Sequence, residues 1–358
     1  MTMQSLIPMS AHPRVQAVGS LLATAVWQSR ALIVITLVHL VIALAIAAWL
    51  GEPFQSGTAE SLLAVLKFMI PVFLLFLMFW RFGTMAVAIR PRNPSRWFLN
   101  DLRRFCLDPE RLAIGIVAFV TVSFFTGSFS FIKDMLPQLN PFSGDPALAQ
   151  FDRWLHGGTD PYILLGPLLD TPLITTWLNG VYHFWFFLLY FMTFIACFDR
   201  DNPVRRNTLL IGFVLTWGVG GNLLAILMAS GGPVYYEAFG YGDMFVPLMD
   251  KLHAFAEVSP VWALGVQDML LDGYLNDGQV SGISAMPSMH LAGSTLMACH
   301  AFAWRKWAGW LMVPFTVLIL LGSVHLGWHY AIDGYLGIPF GIAAWYAARV
   351  VARAFPTE

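Results

Sequence analysis

Charged side chains are scarce in this sequence. Asp, Glu, Lys and Arg together account for 11% of its 358 residues, whereas they make up about 25% of an ordinary soluble domain. Hydrophobic residues account for 58%, and the mean hydropathy is +0.66. This composition excludes a soluble globular protein and favours one that crosses a membrane several times. The formal net charge of −1 gives no information about partners. We expect no nucleic acid to be bound.

Cysteine is also rare. The sequence has three, Cys106, Cys197 and Cys299, with no CxxC pair and no Cys/His cluster of the kind that binds zinc. We therefore expect no metal or cofactor and interpret the cysteines as small apolar residues. The first thirty residues lack the short apolar core and cleavage site of a signal peptide, so the first hydrophobic run is expected to remain as a membrane helix.

Long hydrophobic runs, by contrast, are abundant. A helix needs about 20 apolar residues to cross a bilayer, and eight stretches satisfy this requirement. They are residues 31–50, 61–80, 112–132, 172–198, 207–229, 288–304, 308–328 and 332–350. The sequence predicts an all-α, polytopic membrane helical bundle with about eight transmembrane helices. Residues 1–30 are expected to be an unstructured or interfacial lead-in.

The segments between the predicted spans differ in charge. With a cytoplasmic N-terminus, the inner segments are 1–30, 81–111, 199–206, 304–307 and 345–358, and the outer ones are 51–60, 133–171, 231–287 and 329–333. The inner set holds 16 Lys and Arg against 6 Asp and Glu, and the outer set holds 3 against 15. Because Lys and Arg are enriched in cytoplasmic loops, both termini are predicted to be cytoplasmic. In a bacterium the outer segments would face the periplasm from the inner membrane.

One inner segment has an amphipathic pattern. In PRNPSRWFLNDLRRF, the arginines alternate with Trp97, Phe98, Leu102 and Phe105 at helical spacing. The sequence predicts either a helix lying on the membrane surface, with its arginines on anionic headgroups, or a solvated connector.

The stretch from Ser281 to Gly337 is the most informative. It contains SGISAMPSMH and, later, HYAID, and thirty-nine positions separate His290 from His329. That distance lets a helix cross the bilayer, turn at the basic residues Arg305 and Lys306, and return. Both histidines are therefore predicted to lie at the outer face, side by side.

The residues around each histidine indicate an anion site. Small residues and a proline lead into a predicted helix, with Pro287 suited to its first turn and Ser284 or Ser288 to its cap. A helix start of this kind binds anions through free N–H groups. A capped helix with a histidine at headgroup level is the alternative. His329 and Asp333 are four apart, so that on one helix the carboxylate would orient the imidazole.

PSMH followed by HYAID resembles the second and third motifs of the type-2 phosphatidic-acid phosphatase superfamily. The resemblance is closest to its inositol-phosphorylceramide-synthase and sphingomyelin-synthase branch, which also has HY-x-x-D. It implies that His329 attacks phosphorus, that Asp333 orients it, that His290 protonates the leaving alkoxide, and that no metal is required. It covers the last six spans, so residues 112–358 are expected to form the catalytic core and residues 1–111 a two-helix extension with a cytoplasmic connector.

The sequence departs from the hydrolytic members in its positive charges. They carry Ser-Arg shortly before the nucleophile and basic residues in their first motif, whereas this chain has Gly322-Ser323 and SGGPVYY. Arginines at these positions normally neutralise the phosphoryl charge. We hypothesise that His325, one turn before His329, replaces them together with Arg153 or Lys251, and that Ser284 and Ser288 also contact the substrate.

Three functions fit these observations. A lipid or polyol hydroxyl accepting the phosphoryl group makes a phosphotransferase, and the missing arginine favours that reading. Water as acceptor makes a lipid-phosphate or polyprenyl-diphosphate phosphatase. A transporter is the alternative from another class, suggested by Gly218, Gly220, Gly221 and His183 within spans, although the sequence shows no internal repeat.

Overall fold

The computed structural model describes residues 13–55, 67, 70–276 and 282–355, with side chains from residue 18 onward. This part of the chain is all-helical and contains no β-strand, which confirms the predicted fold class. The predicted span 61–80 falls partly on residues outside the described ranges.

The N-terminal part of the chain begins helically much earlier than expected. The first helix, α1, runs from Pro13 to Leu50 without interruption, so an unstructured lead-in is wrong from residue 13 onward, while the interfacial alternative stays a prediction. Its apolar stretch begins at Val18, and nothing in the sequence between there and residue 31 breaks a helix. The second, α2 (Ile70–Thr84), continues as a π-helical turn (Met85–Ile89).

A short helix, α3 (Pro94–Cys106), follows α2 and is amphipathic, as predicted. Trp97 and Phe98 are half-buried, whereas Arg103 and Arg104 are exposed. The Arg81 guanidinium at the end of α2 binds the Asp101 carboxylate with two hydrogen bonds of 2.5 and 2.6 Å. This ion pair fixes α3 against α2. The contact of α3 with lipid headgroups stays a prediction.

The rest of the chain combines long helices with pairs of short ones. In order these are α4 (Pro109–Asp134), α5 (Asp145–Leu155), α6 (Pro161–Leu169), α7 (Pro172–Cys197), α8 (Pro203–Leu215, continuing as a π-helix to Leu224), α9 (Val246–Ala256), α10 (Trp262–Leu275), α11 (Met289–Trp304), α12 (Lys306–His325) and α13 (Ala331–Ala354). The short helices α5, α6, α9 and α10 lie in the predicted outer segments, so those segments are folded structure and not simple loops.

Seven helices of the described chain are long and apolar enough to cross a membrane. The remaining predicted span, 288–304, forms α11, which has 16 residues. At 1.5 Å per residue it measures about 24 Å, less than the roughly 30 Å of a hydrocarbon core. The segment 282–288, which leads into it, is not helical.

Helices α11 and α13 approach each other at glycines. A Cβ atom on Gly337 would lie 2.7 Å from the Ser288 carbonyl oxygen, and one on Gly341 would lie 2.5 Å from that of Ala292. Real Cβ atoms do not come so close to a backbone, so glycine is required at both positions. This close packing fixes the start of α11 against the start of α13, where the two histidine motifs lie.

A buried polar cluster joins α1 to the rest of the bundle. The His39 ring is within hydrogen-bond distance of Ser128 Oγ (2.8 Å) on α4 and Asn222 Oδ1 (3.0 Å) after α8. Polar groups inside a membrane protein must be paired in this way. His39 thus has the structural role expected of a polar residue within a span. The division at residue 111 stays a prediction.

Candidate active site

The PSMH segment turns into α11 at Ser288. The Ser288 hydroxyl accepts a hydrogen bond from the Leu291 N–H at 3.5 Å, and the Ser288 N–H donates to the Asp333 carbonyl oxygen at 3.1 Å. Ser288 is therefore the cap, as one of the two predictions had it, while Pro287 precedes the helix and does not occupy its first turn. Ser284 lies half-buried in the extended segment.

Aromatic rings hold His290 in place. The imidazole stacks on Tyr182 and packs against Trp185, with a ring-centroid distance of 4.3 Å to each, and the edge of Phe186 closes a third side. Among the described residues, no group is within hydrogen-bond distance of its Nε2 atom. The ring is thus fixed by packing, and one nitrogen is left without a bond in the protein.

Asp333 contacts His329, but the two residues do not lie on one helix, as their spacing had suggested. Helix α13 begins at Ala331, so His329 precedes it and the carboxylate reaches back across the first turn. The Asp333 Oδ2 atom lies 3.3 Å from His329 Nδ1 and accepts the Tyr330 N–H at 3.0 Å. With the Nδ1 proton directed to the carboxylate, Nε2 carries the free lone pair.

The two imidazoles lie at the same end of the bundle. Their ring centroids are 6.1 Å apart, with an interplanar angle of 64°. Phosphoryl transfer needs a nucleophile about 3 Å from phosphorus and an acid about 3 Å from the leaving oxygen, so the two groups must lie near each other, as these rings do. The helical hairpin of α11 and α12 thus brings the two motifs together as their spacing predicted.

A small pocket lies beside His329, with room for about one water molecule. It is lined by Asp152, Pro161, Tyr162, Pro233, Phe245, Leu248, Val324, His329 and Tyr330. No Lys or Arg is in this lining, and His290 is not part of it. The pocket is therefore largely apolar, with His329, Asp152 and two tyrosines as its polar groups.

The three residues expected to supply positive charge lie outside this lining. Arg153 makes two hydrogen bonds, of 2.5 and 2.8 Å, to the Asp160 carboxylate, which raises the pKa of the guanidinium. Lys251 is 2.7 Å from both oxygens of Asp170. Its ammonium group also lies 5.5 Å from the centre of the Tyr162 ring, directly behind a wall of the pocket.

His325 faces the bundle interior. Its side chain is fully buried, its Nε2 lies 2.8 Å from Thr175 Oγ1, and its Nδ1 lies 3.8 Å from an Asp170 oxygen. The structure therefore groups His325 with Lys251 around Asp170 and does not direct it at the pocket.

The hypothesis for Arg153 and Lys251 leads to a test. Replacing both with glutamine is expected to lower turnover at least 100-fold, because one lost donor to a developing anion typically costs 10²–10³-fold. A steady-state assay on purified protein measures this. The matched control, Arg305→Gln with Lys306→Gln, removes two positive charges at the opposite end of α12 and should change turnover less than threefold. Unchanged turnover in the first variant would exclude both residues from charge neutralisation.

Sequence reasoning missed two buried carboxylates on α5. Asp145 and Asp152 are 0% and 2% exposed, and both contact the segment that carries His329. The usable signal was their spacing: in DPALAQFD the two are seven residues apart, which places them on one helix face.

Two imidazoles and a carboxylate at one end of a bundle of membrane helices form a candidate active site, and comparison with known families indicates its class. The family model of the PAP2 superfamily matches residues 146–347, more than half of the chain. The protein belongs to the PAP2 superfamily, whose members are phosphatases and phosphotransferases acting on phosphate esters. No curated protein and no solved structure matched the chain.

Proposed function

We propose that the protein is an integral-membrane lipid phosphotransferase that works through a phospho-histidine at His329. The observation that carries this proposal is the 6.1 Å separation of the His290 and His329 rings, with the Asp333 carboxylate 3.3 Å from His329 Nδ1. This is the arrangement that a nucleophile, its orienting group and a general acid require.

In the first step, His329 Nε2 attacks the phosphorus of a lipid phosphate ester. The N–P bond forms as the P–O bond to the leaving group breaks, and His290 gives its proton to the departing alkoxide. Asp333 stabilises the cationic ring that results. Ser288 and Ser284, at the start of α11, are proposed to contact the phosphoryl oxygens.

In the second step, the acceptor decides the product. An acceptor hydroxyl loses its proton to His290, its oxygen bonds to phosphorus, and the N–P bond breaks, which restores both histidines. The HY-x-x-D motif and the missing Ser-Arg favour an alcohol acceptor, as in the inositolphosphotransferase-like branch. Hydrolysis of a lipid phosphate or polyprenyl diphosphate by the same residues is the second candidate, and the largely apolar pocket favours a lipid substrate for either.

The charge distribution supports an orientation. Outer segments with 3 basic and 15 acidic residues, and inner ones with 16 and 6, favour cytoplasmic termini and a site on the opposite face. We infer a bacterial inner-membrane protein with a periplasmic active site.

The proposal is tested on purified protein in detergent, with dioctanoyl phosphatidic acid and dioctanoyl phosphatidylinositol labelled in the phosphate. We expect an acid-labile phosphate on His329 in rapidly quenched samples. A supplied alcohol that differs from the departing dioctanoylglycerol, such as a long-chain alkanol, should yield a new phosphodiester from phosphatidylinositol. Hydrolysis products alone, free phosphate from phosphatidic acid or inositol phosphate from phosphatidylinositol, would identify a phosphatase. Orthovanadate, which mimics pentacoordinate phosphorus, should bind and inhibit. Absence of both a labelled histidine and vanadate binding would overturn the proposal.

A further inference from the structure

The surface helix α5 places two buried carboxylates against the backbone that carries His329. Asp145 and Asp152 stand two turns apart on one face of this helix, and both are almost completely buried. A buried carboxylate is costly unless several donors surround it. The donors that surround these two come from the two segments that form the candidate site.

Asp145 joins the SGGPVYY segment to the residue after His329. Its Oδ1 atom accepts hydrogen bonds from Ser230 Oγ, the Gly232 N–H and the Tyr330 hydroxyl, each at 2.9 Å, and its Oδ2 atom accepts the Gly231 N–H at 2.8 Å. Burial and the nearby carboxylate raise the pKa of Tyr330, so this hydroxyl keeps its proton and donates. Successive backbone N–H groups of a turn can bind an external anion. In this Ser-Gly-Gly turn they donate to the Asp145 carboxylate instead.

Asp152 binds the start of α13. Its two oxygens accept the Ala331 N–H at 3.0 Å and the Ile332 N–H at 3.1 Å, two of the donors that a helix start leaves without partners. Asp152 also lines the pocket beside His329. Neighbouring His156 braces this turn of α5, with its ring 2.7 Å from the Asp152 carbonyl oxygen and 2.9 Å from the Tyr335 hydroxyl on α13.

The two carboxylates therefore bind consecutive residues of the segment that follows His329. Asp145 holds Tyr330, and Asp152 holds Ala331 and Ile332, so the three residues directly after His329 are tied to α5. Asp333, the next residue along the chain, orients the ring itself. The backbone of His329 is in turn held on its other side, where its N–H donates to the Ser323 carbonyl oxygen at 3.1 Å.

We propose that α5 is a positioning element for the nucleophile, with Asp145 and Asp152 as positioning residues that set where His329 stands relative to His290. This inference rests on the proposed function, since it takes His329 as the attacking group. It assigns a role in turnover to residues that touch no reacting atom. Displacements of about 1 Å in such a site cost on the order of 100-fold in rate.

The test compares Asp152→Asn and Asp145→Asn with wild type, using whichever of the two dioctanoyl lipids is turned over. Asparagine keeps size and polarity, but its amide nitrogen cannot accept a backbone N–H. We expect kcat to fall 10- to 100-fold for Asp152→Asn while KM changes less than threefold, because substrate binding is retained and alignment is lost. Asp250→Asn, an exposed aspartate on α9, is the matched control and should change neither.

A double-mutant cycle tests the path through Tyr330. Tyr330→Phe removes one donor from Asp145 and keeps the ring, so kcat should fall between three- and tenfold. The Asp145→Asn/Tyr330→Phe pair should lose less than the product of the single losses, as expected for groups in direct contact. Additive losses would show that Asp145 does not act through Tyr330 and would overturn that half of the inference. Tyr330→Phe also serves where an aspartate variant does not fold.

The outcomes separate the two proposals. Full activity in folded Asp152→Asn, or a loss confined to KM, overturns the positioning role while leaving the proposed function intact, provided that His329→Gln is inactive. Activity in His329→Gln overturns the proposed function itself. Orthovanadate titration of the same variants gives a second readout: weakened binding in Asp152→Asn, with the control unchanged, is expected from a displaced His329.

Discussion

Glutamine in place of His329 is expected to abolish turnover of every substrate, with a loss of roughly 10⁴-fold or more, because no other group is aligned with the phosphorus. Glutamine in place of His290 should instead have an effect that depends on the leaving group. General acid catalysis contributes about 10²–10⁴-fold, and an alkoxide needs the proton whereas p-nitrophenolate does not. With p-nitrophenyl phosphate, the rate of the first step should therefore be much higher in His290→Gln than in His329→Gln. With a lipid phosphate ester, both substitutions should slow that step strongly.

Rapid-quench kinetics check this result. With p-nitrophenyl phosphate, His290→Gln should release a burst of nitrophenol and accumulate phospho-His329, because the second step also needs His290 as a base. His253→Gln, an exposed histidine on α9, is the matched control and should behave as wild type. A burst phase of His290→Gln that is equally slow with both leaving groups would contradict the assignment of His290 as the acid.

Alanine at Gly337 or Gly341 is expected to damage both stability and turnover. The new methyl would lie 2.7 Å or less from a backbone oxygen of α11, and backbone cannot rotate away as a side chain can. Overpacking of this kind typically costs about 1–3 kcal/mol. Relief by separating α11 from α13 would also move His290 away from His329, so kcat should fall by about 100-fold.

The control for this prediction is Gly265→Ala on α10, where a Cβ would have no atom within 4 Å. Alanine is favoured over glycine within a helix by roughly 0.5–1 kcal/mol, so this variant should unfold at the same temperature as wild type or a higher one. Thermal unfolding in detergent and steady-state kinetics measure both effects. Wild-type stability and kcat in Gly341→Ala would show that the two helices can separate without consequence for the site.

The histidine pair could be predicted from the sequence because it depends on chain length alone. A membrane helix has a fixed rise, so thirty-nine residues with a basic turn in the middle return to the face where they began. The cap at Ser288 and the Asp333 contact are equally local. The bundle itself followed from hydrophobic runs, whose length sets the helices whatever their neighbours.

The environment of the pair could not be predicted in the same way. The ion pairs depend on how α5, α6 and α9 pack, because Arg153 binds Asp160 and Lys251 binds Asp170. The partner of a charged residue cannot be read from the sequence alone. Asp145 and Asp152 appeared only as members of a turn-rich outer segment. Most of their partners are backbone N–H groups, which every residue has, so the sequence marks the two aspartates only by their seven-residue spacing on one helix face.

The short helix α11 has a consequence for where water can go. If its basic end at Arg305 lies at the cytoplasmic boundary, a rod of about 24 Å stops roughly one helical turn before the opposite edge of a 30 Å hydrocarbon layer. His290, on the first turn of that rod, is then sunk beneath the plane of the glycerol backbones. At that depth water is scarce, and the hydroxyl group of a lipid is then more concentrated than water. The exclusion of water alone would favour transfer over hydrolysis in the second step.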